Sequence, residues 1–327
     1  MMKFTRALQS IASAWSLAML ALAATTAMPA AAQDRFPSQP LKIVVPYPAG
    51  GSTDLIARQF AERLTAELGQ TVIIDNRPGG GTNIGAEFVA KSKADGYTLM
   101  FANNSQVLNP VFGPKPPFEL SALDAISLVS RVAFVIAANP QTPFNTGAEM
   151  LAAAKAAPGK LTVSSAQLDL YVELFNAKAN LKLLHVPYKG GAAATTDAIS
   201  GQVNMVYALV PVLLPQIQGG KLKALAVTTG KRLGSLPDVP TLTELGVDYD
   251  VAIWYGLLAP AGTPKAVVDR LAAATQKIMS NAEMGAKIRA GGAEPAWSRP
   301  EEFGDMLRKD TEFWKGVART LPHLVQK

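Results

Sequence analysis

Short apolar runs alternate with amphipathic stretches along most of the chain. Residues 41–45 form an apolar run stopped by Pro46. In residues 55–68, Ile56, Phe60, Leu64 and Leu68 recur at a spacing of four and Gly69 follows, which predicts a helix with one buried stripe and a glycine stop. A strand is expected over 71–74, a glycine-rich loop over 76–82, a helix over 83–93 and a third strand over 97–102, ending in Asn103-Asn104-Ser105. Repeated strand–helix units of this kind predict an α/β protein. Its mixed, mostly parallel sheets are covered by helices on both faces, and ligands sit at the carboxyl ends of the strands.

The second half continues the pattern. Residues 126–137 are long and apolar enough to be a strand that leaves a first lobe. Helices follow at 146–156, 171–179, 193–199 and 212–218, and strands at 161–163, 183–186, 203–207 and 224–228. After a proline-rich loop at 231–241, residues 251–258 read as a second crossing strand. The remainder is helical at 265–279, 282–290 and 300–320. Two crossing strands and a helical return predict a two-lobed clamshell. Residues 33–134 plus 256–327 would form a discontinuous first domain and residues 135–255 the second, hinged near 132–137 and 251–255.

The first residues give an address. Lys3 and Arg6 precede a mostly apolar stretch at 11–24, and Ala30-Ala31-Ala32 supplies a small-residue cleavage pattern before Gln33. This is a secretory signal peptide over 1–32, and the mature chain is expected in the periplasm. With no cysteine in the chain, neither a lipidated anchor nor a disulfide is available. The net charge of +6 falls to +4 once Lys3 and Arg6 are removed, and no basic run carries interleaved aromatics, so nucleic acid is not an expected partner.

Two stretches echo each other. Val45-Pro46-Tyr47-Pro48-Ala49-Gly50-Gly51-Ser52-Thr53-Asp54 and Val186-Pro187-Tyr188-Lys189-Gly190-Gly191 each leave a strand through Pro-Tyr, turn on a glycine pair and enter a helix. Glycine lets backbone approach a ligand, and a helix start offers unpaired N–H groups with partial positive charge. Two such mouths suggest two lobes facing one anion, although either alone also reads as a tight turn. Catalytic chemistry is thin by comparison. There are two histidines, His185 and His323, and no recognised nucleophile elbow, zinc or phosphate-loop motif. His185, at the end of an apolar strand, reads as a packed or hydrogen-bonded structural residue, and no cofactor is expected.

Six ordered segments carry a resemblance: Pro48-Ala49-Gly50-Gly51-Ser52-Thr53-Asp54, Asn76-Arg77-Pro78-Gly79-Gly80-Gly81-Thr82-Asn83-Ile84-Gly85, Asp95-Gly96-Tyr97-Thr98-Leu99, His185-Val186-Pro187-Tyr188-Lys189-Gly190-Gly191, Leu236-Pro237-Asp238-Val239-Pro240-Thr241, and Trp254-Tyr255-Gly256-Leu257-Leu258-Ala259-Pro260-Ala261-Gly262-Thr263-Pro264. Together they resemble the solute-binding proteins of tripartite tricarboxylate transporters, the Bug family, over essentially the whole mature chain. The resemblance implies a type II periplasmic-binding-protein fold, monomeric, which closes on a small organic acid and delivers it to membrane permease subunits. It also implies ligand contacts from Ala49, Gly50, Gly51, Ser52, Thr53 and Asp54, from Asn103, Asn104 and Ser105, and from Ser164, Ser165, Ala166 and Gln167, with Tyr188, Lys189, Gly190 and Gly191 beside them.

The chain departs from the family pattern at two points. The usual glycine-rich loop of the second domain is replaced by Ser164-Ser165-Ala166-Gln167-Leu168-Asp169-Leu170, and Ala208 and Leu209 stand where a polar residue commonly follows a strand. Both changes favour a ligand with a less polar far end. Several residues keep two readings: Asp54 caps its helix or touches ligand, and Lys189 is solvated or pairs with a distal carboxylate. Asn103-Asn104-Ser105 is a plain turn or a binding loop. Two rival functions use the same sequence, a sensor that presents the acid to a membrane receptor and an exported acyl-transfer enzyme built on Ser164 or Ser165 with Lys189.

Overall fold

The computed structural model describes residues 36–325 apart from Gln167, and only the backbone of Ser52. The expected signal segment, 1–32, lies outside the described residues. The described residues fall into two units, one ending at Gln39 and the other beginning at Pro40. The described end of the first carries a cis Phe36–Pro37 peptide.

In the second unit the elements run in order β1 (Leu41–Val45), α1 (Ser52–Leu68), β2 (Val72–Asn76), α2 (Asn83–Ala90), β3 (Thr98–Asn103), α3 (Ser105–Phe112), β4 (Leu123–Ala138), α4 (Gly147–Ala156), β5 (Thr162–Ala166) and α5 (Asp169–Ala179). They continue with β6 (Leu184–Tyr188), α6 (Gly191–Ser200), β7 (Met205–Leu209), α7 (Val210–Gln218), β8 (Lys223–Val227), β9 (Ala252–Pro260), α8 (Lys265–Met279), α9 (Ala282–Ala290), β10 (Glu294–Pro295) and α10 (Pro300–Thr320).

The strands form a mixed sheet. At one end β2, β1 and β3 are parallel, and at the other β6, β5 and β7 are parallel. Between them β9 and β4 run antiparallel to their neighbours, giving the order β2-β1-β3-β9-β4-β7-β5-β6. Strand β4 changes company midway. It pairs with β9 as far as Ala133, and from Phe134 it pairs with β7 on one side and β8 on the other. Against β9 it slips register by one residue at two places, between Ala125 and Ser127 and between Leu128 and Ser130.

Thr228 ties the two crossing segments where β4 changes partners. It is wholly buried, its N–H donates to the Phe134 carbonyl at 3.1 Å and its carbonyl accepts the Val251 N–H at 2.8 Å. Its hydroxyl donates to the Val251 carbonyl at 2.7 Å and accepts the Phe134 N–H at 3.0 Å. One side chain therefore satisfies backbone groups on both segments, which burial would otherwise leave costly.

A row of rings fills the core beneath this crossing. Phe112 lies 6.1 Å from Trp314 of α10, Trp314 lies 5.7 Å from Tyr171 of α5, and Phe134 lies 4.7 Å from Tyr171 and 5.0 Å from Tyr207. The Tyr207 hydroxyl closes the row on that of Tyr249 at 2.9 Å. Gly256 of β9 lies so close to Phe303 of α10 that a Cβ there would meet the ring at 2.3 Å, which accounts for glycine in an otherwise bulky strand.

Candidate ligand site

The first mouth follows β1. Gly50 has φ of 82°, a conformation that suits glycine, and its N–H donates to Asp54 Oδ2 at 2.8 Å. Asp54 is 1% exposed and also accepts from Arg58 Nε at 2.9 Å and Asn76 Nδ2 at 2.9 Å. The Arg58 guanidinium, helped by the Gly50 and Asn76 donors, outweighs burial and holds the Asp54 carboxyl down at about 2. Asp54 is thus the clamp of its own loop, with Asn76 completing the brace by donating to the Tyr47 carbonyl at 3.1 Å. The first-turn N–H groups of α1 have no intrahelical acceptor, and Gly51 at the cap position supplies no side chain for them.

The end of β3 joins this mouth. The Tyr47 hydroxyl donates to Asn103 Oδ1 at 2.6 Å and lies 2.8 Å from Ser105 Oγ. Asn103 Oδ1 also accepts the Ser105 N–H at 2.9 Å, and α3 starts there, an element the sequence reading did not include. Burial pushes the Tyr47 hydroxyl up to about 12, so it stays a neutral donor. Asn104 serves the sheet instead of the mouth. Its amide donates to the Ala252 carbonyl at 3.1 Å and accepts the Trp254 N–H at 2.7 Å, stitching α3 to β9. Tyr47 belonged to a motif read in the sequence, but its reach across to Asn103 spans 56 residues and has no local signal.

The second group gathers at the ends of β5 and β6. Ala166 and Tyr188 stand side by side in the ladder. Ser164 and Ser165 lie within β5 and are wholly buried, where sequence placed a loop. Ser164 donates to the Ala194 carbonyl of α6 at 3.0 Å, and Ser165 Oγ lies 2.8 Å from His185 Nε2. His185 Nδ1 is 3.4 Å from Asp169 at the start of α5. Serine, histidine and aspartate in series are the residue types of an acyl-transfer triad, and here the serine is wholly buried within β5. Neither serine bonds to Lys189, which is exposed. Gln167 lies outside the described residues.

Beyond β6, Gly190 caps α6 without any side-chain acceptor, so its first N–H groups are also unclaimed. The Tyr188 hydroxyl donates to Asp197, and that bond raises its pKa; Thr195 Oγ donates to the Gly191 carbonyl at 2.7 Å. What sets these two starts apart is glycine at the cap: α2, α3, α5, α7 and α8 also lack a side-chain cap but follow Thr82, Asn104, Leu168, Leu209 and Pro264. Helix α4 is closed by a Thr146–Glu149 capping box, and α9 by Asn281, whose side chain accepts the Met284 N–H. Among the described residues no side chain caps α1 or α6, and a ligand anion can take that place.

A mixed α/β sheet of this kind is also the fold of solved solute-binding proteins. Residues 56–321 match the family model described as tripartite tricarboxylate transporter family receptor, and the chain belongs to that family. It is 35% identical to Protein BugT of Bordetella pertussis over 88% of this chain and 90% of that protein. Among solved structures it is similar to a TctC solute-binding protein from Polaromonas, at 30% identity and a TM-score of 0.79, covering 88% of this chain and 100% of the other. It is also similar to an R. palustris protein solved with adipate, at 31% identity and a TM-score of 0.73, covering 87% and 98%.

Proposed function

We propose that the mature protein works in the periplasm as a monomer. It captures a small organic acid with one or two carboxylates and delivers it to the membrane subunits of a tripartite tricarboxylate-type transporter. The two lobes, residues 33–134 plus 256–327 and residues 135–255, close on the acid about the crossing strands. One carboxylate is held by the first-turn N–H groups at Gly51–Asp54, with Asn103 and Ser105 at the same mouth. The second lobe offers the N–H groups at Gly190–Gly191, the Lys189 ammonium and the end of β5 at Ala166. The observation that carries this reading is the pair of helix starts led by glycine, Gly51 before α1 and Gly190 before α6, one on each side of the crossing. Backbone donors and helix dipoles bind an anion without a strongly basic protein. The relative solved with adipate is consistent with a carboxylate ligand.

Titration calorimetry of the mature protein against succinate, adipate, malate, citrate, glutamate and a set of aryl acids tests this, with analysis of the ligand recovered afterwards. Reversible binding of at least one acid, returned unchanged, is expected. Turnover of a bound acid, or no binding by any of them, would reject the proposal.

A further inference from the structure

Beside the first mouth lies a pocket of about 250 Å³ whose lining is drawn from both sides of the crossing. Leu55 and Ile56 come from the first turn of α1, Val129 and Ser130 from β4, and Pro211 and Val212 from the first turn of α7. Leu55 and Val212 are among the few large apolar side chains left exposed, at 53% and 42%. Val212 also faces the second mouth, since a Cβ on Gly191 would lie 3.5 Å from its Cγ1. The far end is closed by the turn after α9. Gly292 there has φ of 77° and presses on Val210 and Pro211 so closely that a Cβ would meet them at 3.0–3.1 Å.

Two further observations mark this pocket as a site. Adjacent residues of a regular strand point to opposite faces, yet Val129 and Ser130 both line the pocket. The register slip against β9 falls at Val129, and a bulge beside a functional site commonly re-aims the strand there. Ser130 is also wholly buried and its hydroxyl has no hydrogen-bond partner among the described residues, a costly state that a ligand would relieve. The charged group on the lining is a cation, Lys287 of α9, and no carboxylate of the described residues lines the pocket to repel an incoming acid.

We propose that this pocket receives the hydrophobic body of the bound acid. The ligand is then an aryl or branched alkyl carboxylate with a hydroxyl or carbonyl at its far end. Its carboxylate sits at the Gly51–Thr53 mouth, its body crosses Leu55 into the pocket, and its distal oxygen bonds to Ser130 Oγ. Size agrees, because an apolar cavity of about 150 Å³ takes up benzene, so this one holds a ring with a short side chain. The inference rests on the organic-acid reading above.

Calorimetry with succinate, phenylacetate and 4-hydroxyphenylacetate tests it on the mature chain, wild type, Val212→Trp and Ser130→Ala. Wild type should bind both aryl acids tighter than succinate, and 4-hydroxyphenylacetate tightest. Val212→Trp, at an exposed position, should weaken the aryl acids at least tenfold more than it weakens succinate. Ser130→Ala should erase the preference for the hydroxylated acid, a change of about threefold to tenfold. Succinate binding tightest, or aryl-acid affinities untouched by Val212→Trp, would overturn the pocket proposal while leaving the carboxylate reading intact. If no acid binds, that reading fails and benzyl alcohol becomes the probe in a thermal-shift assay. Stabilisation of wild type but not of Val212→Trp would keep the pocket, and no stabilisation of wild type would overturn it.

Discussion

The two glycine mouths share a sequence pattern but are built differently. The first is stiffened by a buried carboxylate with three donors and by a tyrosine that locks a neighbouring loop. The second has small residues, one exposed lysine, and a tyrosine tied to an aspartate of the following helix. A frame fixed before binding suits a feature that every ligand has, its carboxylate, because no ordering cost falls on the complex. A looser frame of small residues with one cation suits a part that varies. On the proposed function, the first mouth would be the anchor and the second the selector.

The comparison breaks most plainly at Gly51. Its φ of −75° is ordinary and a Cβ would find 3.5 Å to the Pro48 carbonyl, so the chain tolerates a side chain there. Gly51→Trp should fold with an unchanged melting temperature and lose more than a hundredfold in affinity for any acid, read by calorimetry; retained binding would remove the mouth from the site. Asp54→Ala comes next. It removes the acceptor shared by the Gly50, Arg58 and Asn76 donors and should lower stability by about 2–3 kcal/mol in denaturant titration, whereas Asp197→Ala at the second mouth should cost under about 1 kcal/mol. Equal losses would erase the distinction between anchor and selector.

Acid sharpens the same contrast. The Asp54 carboxyl is depressed from 3.8 to about 2, so its contribution is complete above about pH 4 and vanishes as pH falls through about 2. Wild type should lose stability more steeply than Asp54→Asn between these limits, and parallel curves would show that the clamp does not stabilise the fold. Lys189→Gln should weaken binding of dicarboxylates by about tenfold and of monocarboxylates hardly at all, since a charge-assisted bond contributes about 1.5–3 kcal/mol less screening by water. The smallest effect is expected from Tyr47→Phe, about 1 kcal/mol in stability with a similar loss in affinity for every acid. Selective loss for one acid would move Tyr47 to the selector.

Much of this was legible in the chain, for local reasons. Helices α8, α9 and α10 fall where their apolar spacing and flanking residues put them, and the strand 126–137 lies inside β4. What escaped depends on distant partners. The family resemblance put Ser164 and Ser165 in a loop, but β5 keeps them because the Ala194 carbonyl and His185 satisfy their hydroxyls. Helix α3 was not foreseen at all: Asn103 and Ser105 suit turns, and Pro110 is unusual in a helix interior. The glycine mouths were visible as motifs, whereas Ser130 was not, since a one-residue slip against β9 leaves no mark in local sequence.

The ring row beneath the crossing has a bearing on how the protein can be dissected. Trp314 from the last helix lies against Phe112 on one side and Tyr171 on the other, and Phe134 carries the contact on to Tyr207. These rings belong to one apolar cluster that also holds Val44 of the first strand and Leu225 of the eighth. A gene cut at residue 134 would split that cluster through its largest side chains and leave each piece with a greasy open face. Neither half is a module that can be grafted onto another protein, and a library that swaps binding specificities between relatives must exchange loops and keep the chassis whole.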